Sequence, residues 1–213
     1  MDRYRARYRA GEIGAGYRGW AHFAFTSAVS LAVIAACAAA VQAPTPAEWL
    51  AVPATLLYAN LVEYWGHRVP MHRRVRGLGL LFRRHTGQHH RFFTDRRMAW
   101  DGPRDFKAVL FPPVMMAFFI GGFAVPLWAL LHWLASANVA WLAVATGMAY
   151  YLNYEWLHFA YHCPDDSAIA RLPGVRTLRR GHRRHHAPGC MARCNFNITY
   201  PVGDWLFGTR CRD

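Results

Sequence analysis

The sequence has few charged residues for its length, and two long segments carry no cation at all. Charged side chains make up 17% of the 213 residues, compared with about 25% in soluble domains. No Lys or Arg occurs in residues 19–66 or 108–163. A soluble protein needs cations distributed around its surface, so these gaps argue against a soluble domain and predict contact with lipid.

The cations that are present are confined to three blocks. All 25 Lys and Arg fall within residues 1–18, 68–107 and 171–212, and the formal net charge is +13. A nucleic-acid-binding protein would also be basic, but such proteins seldom combine that charge with a 54% hydrophobic composition in long runs. Lys and Arg collect on the cytoplasmic flanks of membrane proteins. We therefore expect all three blocks in the cytoplasm and no nucleic-acid partner.

The cysteines form no CxxC pair. The five residues are Cys37, Cys163, Cys190, Cys194 and Cys211. Four of them lie in or next to segments expected on the cytoplasmic side, where thiols stay reduced. Cys190 and Cys194 are predicted to pack as ordinary core residues, with a role as metal ligands as the alternative.

The hydropathy pattern predicts an all-α integral membrane protein with about four transmembrane helices and a cytoplasmic histidine-rich helical cap. Each uncharged stretch is long enough for helices that cross about 30 Å of hydrocarbon. The expected divisions are a basic cytoplasmic N-terminal flank (1–20), transmembrane helices 1 and 2 (21–66), a cytoplasmic lobe (67–107), transmembrane helices 3 and 4 (108–163) and a cytoplasmic C-terminal lobe (164–213). Four spans place both termini and both lobes on the cytoplasmic side.

Ten of the twelve histidines occur in four compact groups, here called boxes 1 to 4. In order, the boxes contain His67 and His72; His85, His89 and His90; His158 and His162; and His182, His185 and His186. Residues three or four apart lie on one face of a helix, so boxes 2, 3 and 4 each present adjacent imidazoles. The two histidines of box 1 are five apart, about 140° around an ideal helix. Pro70 lies between them, and a bend there would bring both rings to one site.

Imidazole is a suitable ligand for iron, zinc, copper or nickel. One ion takes four to six donors, so ten histidines predict two metal ions. His22 and His132 are isolated in or near apolar segments and are not expected to be ligands. Glu63 and Glu155 lie four and three residues before a boxed histidine, where each either orients an imidazole through a hydrogen bond or is simply an interfacial residue.

With these boxes, the sequence resembles the fatty acid hydroxylase/sterol desaturase superfamily over roughly residues 55–210. The motifs HxxxxH, HxxxHH, HxxxH and HxxHH follow the family's order, and the ending NFNITYPVGDWLFGT resembles the family's strand-like closing segment. In that ending, Asn195 and Asp204 are further candidates for orienting the ligands. Box 2 has three residues between His85 and the next histidine pair, where two are common, so the resemblance leaves the role of His85 open.

The resemblance implies an enzyme that uses two iron ions and O₂ to hydroxylate or desaturate a lipid in the membrane. Zinc is possible as a substitute metal, and the substrate classes are a fatty acyl chain, a sphingolipid, a sterol or a carotenoid. No HPGG, flavin or GxGxxG motif is present, so the electrons are expected from a separate reductase or ferredoxin. The alternatives are a histidine-rich membrane protein that binds or transports metal and a membrane zinc hydrolase.

Overall fold

The computed structural model describes residues 2–211, and within this range the chain is helical and has no β-strand. The α-helices are α1 (Asp2–Gly11), α2 (Gly19–Ala40), α3 (Ala51–Gly66), α4 (Gly79–Phe82), α5 (His90–Phe92), α6 (Phe106–Val109), α7 (Pro113–Phe119), α8 (Val125–Leu134), α9 (Ala137–Tyr161), α10 (Ala168–Arg171), α11 (Pro173–His185) and α12 (Val202–Leu206). Three π-helical turns interrupt them, at His67–Met71, Arg83–His89 and Ile120–Ala124. The all-α prediction is therefore confirmed for the described residues.

Within residues 2–211, two segments are long and apolar enough to cross a membrane. They are Gly19–Ala40 and Pro103–Leu134, with mean hydropathies of 2.0 and 2.1. Only 17% and 11% of their most apolar windows are buried, whereas a core helix of a soluble protein would be mostly buried. The exposed apolar surface supports membrane association, and the four-span arrangement remains a prediction.

The chain forms two compact units. The first contains the residues up to Trp20 together with 60–110 and those from Trp156 onward, and the second contains 21–59 and 111–155. All four histidine boxes belong to the first unit. The second is built around a small apolar core that includes Met116 and Met148.

Prolines shape the apolar segment within the second unit. Pro112 is extended, and Pro113 starts α7, a position where the missing N–H of proline costs nothing. The peptide groups of Phe111 are satisfied by side chains: its amide donates to Glu155 Oε2 at 3.3 Å, and its carbonyl accepts from His22 Nε2 at 3.0 Å. The chain can therefore leave helical geometry here without leaving these backbone groups unpaired.

The closing segment is not a strand, which corrects the strand-like expectation. The amides of Phe196 and Asn197 donate to the two carboxylate oxygens of Asp204 at 2.9 and 2.8 Å. The next two amides, of Ile198 and Thr199, donate to Glu63. Because carboxylates satisfy four consecutive amides, the segment needs no neighbouring strand.

The cysteine expectation also requires correction, because Cys194 and Cys211 form a disulfide. Asn195 brings the two chain segments together. Its amide donates to Thr209 O at 2.9 Å, and its side-chain oxygen accepts from the Cys211 amide at 3.1 Å. The resulting Cα–Cα distance is 5.7 Å, within the range that a disulfide spans. Two residues 17 apart, with no CxxC spacing, gave no sequence signal for this pair.

Candidate metal centre

Two π-helical turns align the histidines of boxes 1 and 2. A π-helix pairs residue i with residue i+5, so side chains five apart share one face. His67 and His72 bracket the first π turn, and their Nε2 atoms lie 3.2 Å apart. His85 and His90 have the same spacing at the second π turn, with Nε2 atoms 2.9 Å apart. The expected bend at Pro70 thus takes the form of a π turn.

The boxed histidines gather into two buried clusters. Cluster A contains His67, His72, His85, His90 and His185; cluster B contains His89, His162, His182 and His186. Within each cluster the candidate ligand atoms all lie within 4.8 Å of one another. The Nε2 atom of His158 lies 3.2 Å from that of His89, so His158 adjoins cluster B. All ten boxed histidines are therefore brought together, and none is more than 9% exposed.

Adjacent histidines in the sequence are divided between the two clusters. His89 belongs to cluster B and His90 to cluster A, while His185 belongs to cluster A and His186 to cluster B. The rings of His90 and His186 stack with centroids 4.2 Å apart. Boxes 2 and 4 therefore serve both clusters, whereas box 1 serves cluster A and box 3 serves cluster B.

Hydrogen bonds at Nδ1 fix the tautomers of six of these imidazoles. The acceptors are the backbone carbonyls of Phe196 for His67, Ala108 for His89, Met98 for His162, Cys194 for His185 and Phe93 for His186, together with the Thr86 hydroxyl for His72. A carbonyl only accepts, so each Nδ1 facing one carries the hydrogen. The Thr86 hydroxyl donates to Met71 O at 2.7 Å, which leaves its lone pair for His72. In all six rings the lone pair is therefore on Nε2.

These lone pairs point at one another. Nε2 of His72 lies 3.2 Å from that of His67 and 3.0 Å from that of His185, and the Nε2 atoms of His89 and His186 are 3.2 Å apart. No hydrogen is available between the two nitrogens of any of these pairs, so the contacts are repulsive unless a cation lies between them. Two nitrogens bound at about 2.1 Å to one ion, with a right angle between the bonds, are about 3.0 Å apart. The donor sets therefore fit metal ions.

Burial keeps the candidate ligands neutral. It lowers the pKa of His72 to about 2 and those of His89 and His185 to about 4. Electrostatic repulsion from neighbouring histidines lowers the pKa of His72 further. The hydrogen bonds from His89 to Ala108 O and from His185 to Cys194 O oppose the shift in the pKa values of those two rings. A metal binds the neutral form of imidazole, so all three rings are in the form that binds metal at physiological pH.

Three of the four expected orienting residues support the closing segment. The two oxygens of Glu63 accept from the Thr199 amide at 3.0 Å and from its hydroxyl at 2.6 Å. Asp204 accepts from the amides of Phe196 and Asn197. Asn195 donates from its side chain to Gly181 O on α11 at 3.1 Å. These bonds hold the stretch whose Cys194 and Phe196 carbonyls receive the Nδ1 hydrogens of two cluster A histidines.

The remaining sequence candidates lie in the second unit. Glu155 is 2% exposed and bonds to the Phe111 amide, and its other oxygen has no hydrogen-bond partner among residues 2–211. Its role in orienting an imidazole remains a prediction. His22 bonds to Phe111 O, and His132 stacks on Trp128 with centroids 4.8 Å apart. Neither belongs to cluster A or cluster B.

Sequence reasoning missed Thr86, the residue that holds His72. The position of Thr86 between two histidines of box 2 was a signal that could have drawn attention to it. The carbonyl acceptors left no such signal, because any residue outside a helix or in its last turn can supply a free carbonyl.

The comparisons with known proteins agree with this site. The sequence model of the family described as fatty acid hydroxylase matches residues 52–209, a range that contains all four boxes. The dihydroceramide fatty acyl 2-hydroxylase FAH2 of Arabidopsis thaliana is 28% identical over 167 residues, which cover 77% of this chain and 62% of that protein. The chain thus spans less than two thirds of that relative's length. No solved structure matches the chain.

Proposed function

Because the chain belongs to the fatty acid hydroxylase family, we propose that it is a membrane-bound non-haem di-iron enzyme that hydroxylates a lipid C–H bond. The overall reaction consumes O₂, two external electrons and two protons, and it yields the alcohol and water. The single observation that carries the proposal is the convergence of Nε2 lone pairs in two separate buried clusters. One cluster would serve one ion, so two clusters support a dinuclear site.

Iron is the proposed metal because of the donor set and the family. Cluster A offers five imidazoles, more than the four ligands of a tetrahedral zinc site. The Nε2 separations of 2.8 to 3.2 Å are closer to right-angle coordination than to the roughly 3.4 Å of a tetrahedron with such bonds. Both features favour an ion that takes five or six ligands and disfavour a zinc hydrolase. Zinc can still replace iron in overproduced protein, because it binds such ligands more tightly than Fe(II).

Bound iron would supply the activation of O₂ that cleavage of an unactivated C–H bond requires. The residues of this chain hold the imidazoles in one tautomer, exclude bulk water from the ligands and keep them neutral. An all-imidazole shell also leaves the positive charge of the metals intact and lacks readily oxidised thiolates. The electrons would come from a separate reductase or ferredoxin, and the basic surface could steer an acidic donor to the site.

A fatty acyl chain is the proposed substrate class. The name of the Arabidopsis relative describes hydroxylation at the second carbon of a fatty acyl group in dihydroceramide. We propose that the present protein also acts on a fatty acyl group, and we do not extend the dihydroceramide headgroup to it. The apolar segments support a membrane location for the enzyme, and fatty acyl groups reside in membranes. A metal transporter would need ligands along a membrane path, whereas His22 and His132 bond or stack within the second unit and join neither cluster.

The test is oxygen incorporation. Protein purified without oxygen and loaded with iron is placed in vesicles that contain ceramide or dihydroceramide, then given a chemical or protein reductant and oxygen-18-labelled O₂. Mass spectrometry should find one labelled hydroxyl on the acyl chain, and none with His162→Ala at equal folded amount. An unlabelled hydroxyl, or equal products from both proteins, would refute hydroxylation by this site.

A further inference from the structure

The N-terminal helix α1 lies outside residues 52–209, the range matched by the family, and its cations were expected only to set topology. Arg5 on this helix is 1% exposed. An arginine whose only role is to set the membrane topology would remain exposed to water, since burial of an unpaired cation is costly. Its burial therefore indicates a specific set of partners.

Those partners are three backbone carbonyls and one carboxylate, and they lie between Phe92 at the end of α5 and Asp101 in the loop that follows. Arg5 Nε donates to Phe92 O at 2.9 Å, and Nη2 donates to Arg97 O and Ala99 O, both at 3.0 Å. Nη1 pairs with Asp101 at 3.3 Å. The guanidinium also lies over the Phe92 ring, 4.6 Å from its centroid. One side chain thus binds the loop at four places, which the planar, five-donor guanidinium allows and a lysine does not.

The same loop orients two histidines of cluster B. Phe93 O accepts from His186 Nδ1 at 2.8 Å, and Met98 O accepts from His162 Nδ1 at 2.7 Å. Each of these carbonyls is a sequence neighbour of one that Arg5 holds: Phe92 precedes the first, and residues 97 and 99 flank the second. The carbonyls of Phe92, Arg97 and Ala99 are therefore anchored on Arg5, and the adjacent carbonyls of Phe93 and Met98 face the imidazoles.

Cluster A has no comparable link to Arg5. The Nδ1 acceptors of His67, His72 and His185 are Phe196, Thr86 and Cys194, which lie outside residues 92–101. Loss of the Arg5 contacts should therefore disturb one cluster and spare the other.

We infer that Arg5 is a positioning residue for the cluster B metal, acting through the Phe93 and Met98 carbonyls. Neighbouring contacts fix the helix that carries it: Arg9 pairs with Asp101 at 2.6 Å and with Asp105 at 2.7 Å, and Tyr4 donates to Gly87 O at 3.0 Å. The inference rests on the proposed two-metal site and extends the centre to a helix outside the matched family region.

The experiment is anaerobic Fe(II) titration of the full chain with one cluster disabled at a time. In a His72→Ala background only the cluster B ion remains, and Arg5→Lys should weaken it by roughly 10- to 100-fold, the usual loss when a group that orients a ligand is removed. In a His162→Ala background the remaining ion is in cluster A, and Arg5→Lys should leave its affinity unchanged. Arg7→Ala, at an exposed arginine of the same helix, is the matched control and should change neither.

The outcomes separate this inference from the proposed function. Wild-type protein that never binds two ions refutes the dinuclear proposal itself. Two ions in the wild type, with unchanged affinity in Arg5→Lys in both backgrounds, would overturn the role of Arg5 alone. Equal weakening in both backgrounds would also overturn it, because that result describes a residue that stabilises the whole unit. Arg5→Ala should repeat the selective loss more strongly, and Arg5→Lys decides the question if the alanine variant does not fold.

Discussion

Replacement of Thr86 by valine tests how the protein fixes the orientation of a single candidate ligand, His72. Valine has nearly the shape of threonine but no hydroxyl. The Thr86 hydroxyl accepts the Nδ1 hydrogen of His72 at 3.1 Å and donates to Met71 O at 2.7 Å. Thr86→Val therefore removes the acceptor of one cluster A imidazole with little change in packing volume.

The size of the effect follows from the burial of His72. An unmade hydrogen bond at a buried donor costs about 1 to 3 kcal/mol. A metal at Nε2 would hold the ring with its Nδ1 hydrogen facing position 86, so this cost falls on the metal-bound state. Since about 1.4 kcal/mol corresponds to a factor of ten in affinity, cluster A should bind metal roughly 5- to 150-fold more weakly. Cluster B should be unaffected, because its Nδ1 acceptors are the carbonyls of Ala108, Met98 and Phe93.

Anaerobic Fe(II) titration measures this directly, with folded amount checked by size-exclusion profile. Thr86→Ser restores the hydroxyl and should recover most of the affinity. Thr177→Val is the matched control, because the Thr177 hydroxyl is exposed and bonds only to Pro173 O at 3.0 Å among its described hydrogen bonds. If Thr86→Val binds two ions as tightly as wild type, the hydrogen bond does not orient His72 and the tautomer argument for that ring is wrong.

Three further predictions concern ligands, pH and the disulfide. His162→Ala should lose one metal ion and all hydroxylation, whereas His132→Ala should keep both; the reverse pattern in metal analysis would remove box 3 from the site. Because burial depresses the pKa values of His72 to about 2 and His89 to about 4, the folded site should still bind metal at pH 5.5, and a binding midpoint near pH 6.5 would contradict this. In the unfolded chain these histidines have their ordinary pKa of about 6.5, so as pH falls they bind protons in the unfolded state before they do so in the folded state. The free energy of unfolding of the metal-free protein should therefore decrease as pH falls below about 6.5. Cys211→Ser should lower the free energy of unfolding by about 3 kcal/mol for a closed loop of this length. An unchanged melting temperature of the wild-type protein after reduction of the disulfide would show that the disulfide does not stabilise the fold.

The sequence was sufficient to predict the helical fold and to identify the histidines that come together. The histidine spacing in boxes 3 and 4 is a local property of the sequence, and it directly predicts which imidazoles lie on one face of a helix. The division of His89 from His90 and of His185 from His186 was not predictable, because it depends on where the boxes meet in three dimensions. The π turns also left no clear signal beyond the five-residue spacings of His67 and His72 and of His85 and His90.

The residues that support the site were harder to predict than the candidate ligands. Glu63 was recognised by its position before box 1, but its bonds go to backbone amides of a segment about 135 residues later in the chain. Arg5 was assigned only a topological role, since three of its four partners are backbone carbonyls, which carry no side-chain signature. Sequence patterns record which side chains are present, whereas these contacts depend on which peptide groups remain free after folding.

The most direct test of the central claim is the ratio of iron to protein chain after anaerobic loading. We predict two ions per wild-type chain, and one ion per chain in each of His72→Ala and His162→Ala, since these variants remove candidate ligands from different clusters. A single ion in fully loaded wild-type protein, or the loss of all iron from either variant while the chain remains folded, would contradict two separate histidine sites.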